Sequence, residues 1–409
     1  MLASRLLKHL IQVGTLRVVD ADGKVHEFKG ADGPSCTIRL HDRSLHRKLF
    51  FNPELYVGEA YMDGTLTIED GTLYGFLELC GVNMKAFMRH PMTRISHGVG
   101  RVFRYIYQYN PVGRAQRNVA HHYDLSGELY DLFLDEDRQY SCAYFRSGND
   151  TLESAQDNKK RHIAAKLLLQ PDQKILDIGS GWGGMALYLA QVAPGADVTG
   201  VTLSTEQHAR SNQRALDQGL DQRVHFHLRD YRDQSGTFDR IVSVGMFEHV
   251  GAAHYGEFFD KVKDLLTDDG VAVLHSIGRM EPPGSTNPWV RKYIFPGGYT
   301  PAMSEVIRAV ENVGLWITDV EVLRLHYAET LREWRRRFTD NRDKVRDIYD
   351  ERFCRMWEFY LAGSEISFRY MDQMVFQIQL AKRQDATPLV RDYVAAWERN
   401  PPEATAAAE

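Results

Sequence analysis

The chain has little cysteine. Its 409 residues contain four, Cys36, Cys80, Cys142 and Cys354, widely separated and with no CxxC spacing. That spacing gives no basis for a structural zinc site or a disulfide framework, and it fits a reducing cytoplasm. Long apolar runs are also missing: none approaches the ~20 residues that a transmembrane helix needs. Basic residues are not in excess, with 50 Lys and Arg against 55 Asp and Glu and a net charge of −5. A nucleic-acid partner is therefore not expected, because phosphate contacts require clustered Lys and Arg. The final absence is local. Between Leu79 and Tyr123 there is no Asp or Glu, while Lys85, Arg89, Arg94, Arg101, Arg104, Arg114 and Arg117 alternate with Phe87, Phe103, Tyr105, Tyr107 and Tyr109. This segment reads either as a connector with solvated charges or as a contact for an anionic membrane surface. At such a surface each basic residue contributes on the order of 1 kcal/mol and aromatic rings settle at headgroup level.

What is present is enough for a packed core: 43% hydrophobic and 26% charged residues over a length that suits one large or two ordinary domains. The opening "MLASRLLKHLIQVG" has the spacing of an amphipathic helix, packed on its own domain or lying on a membrane surface. "TLRVVDADGKVHEFKG" reads as a β-hairpin turning at Asp22-Gly23. "CTIRLHD" reads as a further strand, followed by helical pattern from about 44 to 81 that breaks at "MDGTLTIEDGT". These features predict a small α+β unit. From Gln173 the pattern changes. "KILDIG", "DVTGVTL", "VHFHL", "DRIVSV" and "VAVLHSI" are short β-rich runs separated by helical stretches. Such alternation predicts a parallel sheet covered on both faces. Ser204 and Gln207 predict a capping box for the helix after the second of these strands. "MVFQIQLAKR" is a plausible last strand, and a disordered tail is expected over 396–409.

Two stretches carry candidate chemistry. "ILDIGSGWGG" follows a strand and opens a helix, with Gly179, Gly181 and Gly184 in a G-x-G-x-x-G pattern. Glycines there let a ligand approach the backbone, and the helix N-terminus adds positive potential. The second strand ends "GVTLSTEQ", without the acidic residue in place for a dinucleotide ribose, and "LRDYRD" offers Asp230 as an acceptor and Tyr231 as a stacking ring. This layout suits S-adenosylmethionine better than NAD. The other stretch, "VSVGMFEHVG", ends a buried strand with Glu248 and His249 side by side. Residues alone permit a bland reading, a polar strand end with a cap after it. His249 reads as structural, because neighbours near a strand end point apart.

The chain resembles the cyclopropane fatty acid synthase family, which includes the mycolic acid cyclopropane synthases. The resemblance rests on "HHYDLSGELYDLFLD", "YSCAYF", "LESAQDNK", "LDIGSGWGG", "GVTLSTEQ", "DYRD", "FDRIVSVGMFEHVG", "LLTDDGVAVLHSIG", "KYIFPGG" and "HYAETLREW", in order over about 120–338. "NPELYVGEAYMDGTLTIED" resembles the longer, phospholipid-acting branch, which has an extra amino-terminal domain. The resemblance implies an α/β fold: a Rossmann-like class I methyltransferase sheet of seven strands, the last antiparallel, with a small N-terminal α+β domain. The implied division is 1–112 for the lipid-associated domain and basic linker, 113–395 for the catalytic domain and 396–409 for the tail.

The implied reaction moves a methyl group from S-adenosylmethionine to a cis double bond of a phospholipid acyl chain. The resulting carbocation loses a proton to bound bicarbonate and closes a three-membered ring. The related alternative is methylation without ring closure. Carried over position by position, the implied bicarbonate holders are Cys142, Glu248, His275, the backbone at Ile277, and Tyr327. A buried carboxyl at Glu248 would share a proton with the anion rather than repel it. The implied cofactor residues are Tyr140 and Ser141 at the methionine part, Gly179 and Gly181 at the loop, Thr202, Leu203 and Gln207 near the ribose, and Asp230 and Tyr231 near the adenine, with Tyr123 and Trp182 as further candidates. Ser180 departs from the family's usual cysteine, and a small side chain there preserves the loop. No metal is expected. The implied partner is an anionic phospholipid bilayer, met peripherally at the inner face of the membrane from the cytoplasm, and relatives with the extra domain suggest a homodimer.

Overall fold

The computed structural model describes residues 4–89 and 127–400. Most of the basic aromatic segment lies outside these residues. The chain divides into two compact units, and neither is continuous in sequence. One comprises Met1–Arg104, Gly284–Pro296 and Ala328–Gln373; the other comprises Tyr105–Pro283, Gly297–Tyr327 and Met374–Glu409. Two stretches that the sequence reading places in the catalytic domain, 284–296 and 328–373, thus belong to the first unit.

The first unit is built on a four-stranded sheet of order β2-β1-β3-β4, from β1 (Val13–Val19), β2 (Val25–Lys29), β3 (Ala31–Leu40) and β4 (Leu66–Asp70). β1 and β2 form the expected antiparallel hairpin, with Gly23 at φ 80° in its turn. β3 runs parallel to β1. The expected break in the helical pattern contains a strand, β4, antiparallel to β3. Its short "LTIED" pattern is too brief to separate from a loop by periodicity alone. The helix Glu351–Tyr370, capped by Asp350 accepting from Phe353 N at 2.7 Å, supplies Ala362 and Ile366 to a core shared with Leu16, Val18, Ile38 and Leu79.

The second unit has a seven-stranded sheet of order β10-β11-β9-β8-β5-β6-β7. Its strands are β5 (Lys174–Ile178), β6 (Asp197–Thr202), β7 (Val224–Leu228), β8 (Phe238–Val244), β9 (Leu266–Arg279), β10 (Trp316–Val322) and β11 (Gln373–Ala381). β5 to β9 pair in parallel, and β11 pairs antiparallel with β10. Alternate residues serve opposite faces, as the two-residue period of a strand requires. Leu176, Ile241 and Leu274 enter one core, and Ile175, Val242 and Val273 the other. This is why the strands read as continuous apolar runs rather than as alternation. The chain leaves β5 toward β6 and β7, then returns to β8 on β5's other side. The carboxyl ends of β5, β6 and β8 therefore flank a topological switch point, where open α/β sheets bind ligands.

Two local expectations are corrected. The tail does not begin at 396: the helix Asp392–Arg399 continues through it, with Trp397 packed on the core and Glu398 Oε1 2.8 Å from His162 Nδ1. Apolar Val394 and Trp397, three residues apart, give this stretch a face to bury. The capping box at Ser204 is half formed. Ser204 Oγ accepts from Gln207 N at 3.3 Å, but the Gln207 side chain turns to Thr202, whose Oγ1 donates to Gln207 Oε1 at 2.9 Å. Residues 401–409 lie outside the described residues.

Candidate active site

A cleft opens at the switch point, where β5 hands over to a tight loop and the helix Gly184–Val192. The glycines of that loop have different jobs. Gly179 has φ 81°, and a Cβ there would lie 2.7 Å from Met246 Cβ, so it permits close packing of the 245–247 turn. Gly181 has φ 54° and nothing within 4 Å of its would-be Cβ, so it faces open cleft. L side chains rarely adopt either conformation.

The sequence candidates for the cofactor meet on this cleft. Tyr140 and Ser141 line it from the segment preceding the helix Leu152–Leu167; Gly179, Gly181 and Trp182 from the loop; Thr202, Leu203 and Gln207 from the end of β6; and Asp230 and Tyr231 from the turn after β7. Tyr123 lies outside the described residues. Asp230 is held in place by Arg232: Oδ1 accepts from Arg232 N at 3.0 Å and Nε at 2.9 Å, and Oδ2 from Nη2 at 2.8 Å. Tyr231 is fixed edge-on against Phe258, with ring centroids 5.4 Å apart. Tyr140 and Trp182 both pack on Tyr130, at 5.5 and 5.9 Å.

The cleft also has unmet polar atoms. Asp177 Oδ2, Ser180 Oγ and Trp182 Nε1 are buried and, among the described residues, accept or donate no hydrogen bond. Burial raises the Asp177 carboxyl to about 7, against a smaller opposing effect of the Lys159 charge. Orphaned buried groups are costly, and these fit a ligand that carries ammonium, carboxylate and hydroxyl groups. With the room above Gly181, they fit S-adenosylmethionine.

His249 is on the cleft wall as well. The sequence reading set it aside as structural. Phe247–His249 form a 3-10 turn, so the two side chains diverge as expected, but divergence sends His249 to the cleft and Glu248 to β9. Burial pushes His249 down to about 4, which keeps it neutral.

Behind the cleft Cys142, His275 and Tyr327 are buried, and Glu248 and Ile277 are partly buried. Glu248 Oε1 accepts from Ile277 N at 2.6 Å, and Oε2 is buried without a hydrogen bond from a described residue. Burial raises the Glu248 carboxyl to about 7. The Ile277 N–H, expected to face an anion, thus donates to Glu248. His275 lies two residues earlier on β9, with Nδ1 3.2 Å from Gln377 Nε2. Burial, then the charges of Lys159, Lys166 and His162, hold His275 well below its usual range, so it is neutral. Cys142 is buried, its thiol donating to Ala143 O at 3.3 Å, and Tyr327 is buried at the start of the helix His326–Asp340.

Four residues of this region escape sequence reasoning: His249, Gln377, Gln156 and Lys159. Gln377 alternates with Gln379 on β11, a pattern that the sequence reading takes only as a plausible last strand. Gln156, Lys159 and Lys166 did leave a signal, a polar stripe at helical spacing along a helix rich in Ala, Ile and Leu, and all three are completely buried.

Residues 112–378 match the family described as mycolic acid cyclopropane synthetase, and residues 2–91 match a domain family of unknown function. A cyclopropane-fatty-acyl-phospholipid synthase of Escherichia coli is 35% identical over 345 residues, 84% of this chain and 87% of that protein. A tuberculostearic acid methyltransferase of Mycobacterium tuberculosis is 36% identical over 391 residues, 91% and 89% of the two chains. Among solved structures, a cyclopropane synthase from Mycobacterium tuberculosis superposes with a TM-score of 0.62 at 33% identity, covering 67% of this chain and 99% of its own. A mycolic acid cyclopropane synthase complexed with SAH and CTAB gives the same TM-score of 0.62 at 32% identity, with the same coverage.

Proposed function

The chain belongs to the mycolic acid cyclopropane synthetase family, an S-adenosylmethionine-dependent methyltransferase family, and from that premise we propose that it builds cyclopropane rings on the cis double bonds of phospholipid acyl chains. One observation carries the ring-closing reading. Next to a cleft fitted for the cofactor, the partly buried Glu248 carboxyl at about 7 binds the backbone of β9 at Ile277, two residues beyond the neutral imidazole of His275. Such groups suit a site that must remove a proton from the methylated cation, as ring closure requires.

S-adenosylmethionine, when bound, supplies an electrophilic methyl group. Gly181 leaves room for the ligand, and Asp230 with Tyr231 and Thr202 with Gln207 present pre-oriented groups to its adenine and ribose. The ring of Tyr140 offers a π-face to developing positive charge, worth roughly 0.5–2 kcal/mol, while the Trp182 ring already has the Arg138 guanidinium 4.9 Å from its centroid. None is a nucleophile that would trap the acyl cation, and exclusion of water protects that cation from quenching. Cys142, Glu248, His275, the Ile277 N–H and Tyr327 would hold a bicarbonate, which would supply a general base for the proton lost on closure. Gln377 donates to His275 Nδ1 and so directs the imidazole proton to Nε2, making it a donor. Glu248 holds a proton it can share, so it does not repel the anion. The donor at Ile277 would exchange its partner from Glu248 to the anion.

We place the reaction at the inner face of the membrane, with an anionic bilayer as the peripheral partner of a homodimeric protein. Supporting the peripheral part, no helix among the described residues is long and apolar enough to cross a membrane. The second reading, methylation without closure, is favoured by the likeness to the tuberculostearic acid methyltransferase. Proton NMR of lipids after incubation with S-adenosylmethionine and monounsaturated phospholipid vesicles separates the two. Upfield ring protons support cyclopropane synthesis; olefinic or branched-methyl signals support the second reading and refute the first.

A further inference from the structure

Lys159 is completely buried, and its ammonium touches only neutral groups. Nζ donates to Ser141 Oγ at 2.9 Å and to Gln139 Oε1. One turn earlier on the same helix, Gln156 Nε2 donates to the carbonyls of Gln139 at 3.1 Å and Ser141 at 3.0 Å. Together they clamp the segment whose residues 139–141 line the cofactor cleft. The two other buried lysines of this helix have carboxylate partners. Lys166 Nζ lies 2.6 Å from Glu321, and Lys160 Nζ 2.6 Å from Asp137. Lys159 has no carboxylate within 4.0 Å among the described residues. Asp135 and Asp137 act on it only at longer range, with Lys160 opposing them, and its charge acts on Asp177 in turn.

A buried charge without a counter-charge is expensive. Burial lowers Lys159 to about 8, which still leaves it mostly charged at neutral pH. Its field reaches both Cys142 and His275. The groups assigned to hold the proton acceptor carry no positive charge themselves: a carboxyl, a neutral imidazole, a thiol and a phenol. An anion among them therefore needs a cation from outside the set.

We propose that Lys159 is a positioning residue, whose ammonium fixes the Gln139–Ser141 segment at the cleft and supplies the unpaired positive charge that draws a small oxyanion into the space around Cys142, Glu248 and His275. This rests on the reading that bicarbonate accepts the proton.

The test uses the full chain saturated with S-adenosylhomocysteine and titrated with sodium bicarbonate in CO2-depleted buffer, at fixed ionic strength made up with sodium chloride. Turnover on monounsaturated vesicles is followed against bicarbonate in parallel. Lys159→Met should weaken bicarbonate binding about tenfold or more, with S-adenosylhomocysteine affinity within about threefold of wild type because Gln156 still holds the Gln139 and Ser141 carbonyls. Lys159→Arg, which keeps the charge, should restore bicarbonate binding to within about threefold. Retained S-adenosylhomocysteine binding certifies the fold of each variant. If Lys159→Met binds bicarbonate as wild type does, the role of Lys159 is overturned while the bicarbonate reading stands. Equal loss of both ligands in Met and Arg variants also overturns it, because the clamp is then purely structural. If wild type neither binds bicarbonate nor depends on it for turnover, the bicarbonate reading falls, and the role of Lys159 with it.

Discussion

The cofactor cleft and the Glu248–His275 region lie on the same sheet and differ in how many of their polar groups are already paired. In the cleft, several polar side chains satisfy one another before any ligand arrives, Thr202 with Gln207 and Asp230 with Arg232, while Asp177 Oδ2, Ser180 Oγ and Trp182 Nε1 are left for a ligand to meet. The paired groups cost little to keep and are held in place. In the pocket, Glu248 has one oxygen without a donor, His275 is stripped of charge, and Lys159 has charge without a counterion. The difference shows where the structure stores reactivity. A recognition surface gains from preorganised, paired groups. A proton-removing pocket gains from groups whose protonation is balanced near neutrality, and burial achieves that balance by desolvation.

The sharpest way to break this comparison is at Glu248. Glu248→Gln should lower turnover roughly 1,000-fold while S-adenosylmethionine affinity stays within a few-fold, because the residue serves the pocket and not the cleft. Equal losses in both would merge the two regions into one. The next effect is on stability. Burial raises Glu248 from 4.5 to about 7. The folded state therefore holds this proton more tightly than the unfolded chain. Its stabilisation is fully present below about 4.5 and is lost as pH rises through 7. Glu248→Gln should gain on wild type between pH 5 and pH 8 by on the order of 3 kcal/mol, read from urea unfolding at each pH. A flat difference would show that the carboxyl is not desolvated.

In the cleft the large change is steric. Gly179→Val forces a Cβ against Met246 in a left-handed conformation. Calorimetry should show S-adenosylmethionine binding weaker by about 30-fold, roughly 2 kcal/mol. The smallest effect is expected at Thr202→Val, which removes the hydroxyl that donates to Gln207 Oε1. A loss of about 1 kcal/mol in cofactor affinity, with turnover at saturation unchanged, would sharpen the view that cleft residues act on binding alone.

Legibility followed the same division. The glycine loop, the "GVTLSTEQ" strand end and "DYRD" each sit at the carboxyl end of a strand, so short-range pattern located the cleft, and the parallel strands were readable as apolar runs bounded by turns. β4 was missed because five residues carry too little periodicity. The helix Asp392–Arg399 was read in part as tail because its stability comes from Trp397 and Glu398 meeting distant partners. The division into two units was read from the sequence, but their discontinuity was not, because helices far apart in sequence, such as Glu351–Tyr370, complete the core of the first unit.

By itself, the sequence determined the alternation of strands and helices, the glycines of the loop and the residue types at the site, because backbone conformation, periodicity and chemistry are local properties. The tertiary structure alone decided which of the ionisable residues lost their water and which kept a counter-charge. That turned Glu248 into an acid near neutrality, His275 into a neutral donor, His249 into a cleft wall and Lys159 into an unpaired cation. Desolvation and pairing depend on what distant segments bring to one place, and no window of sequence contains that information.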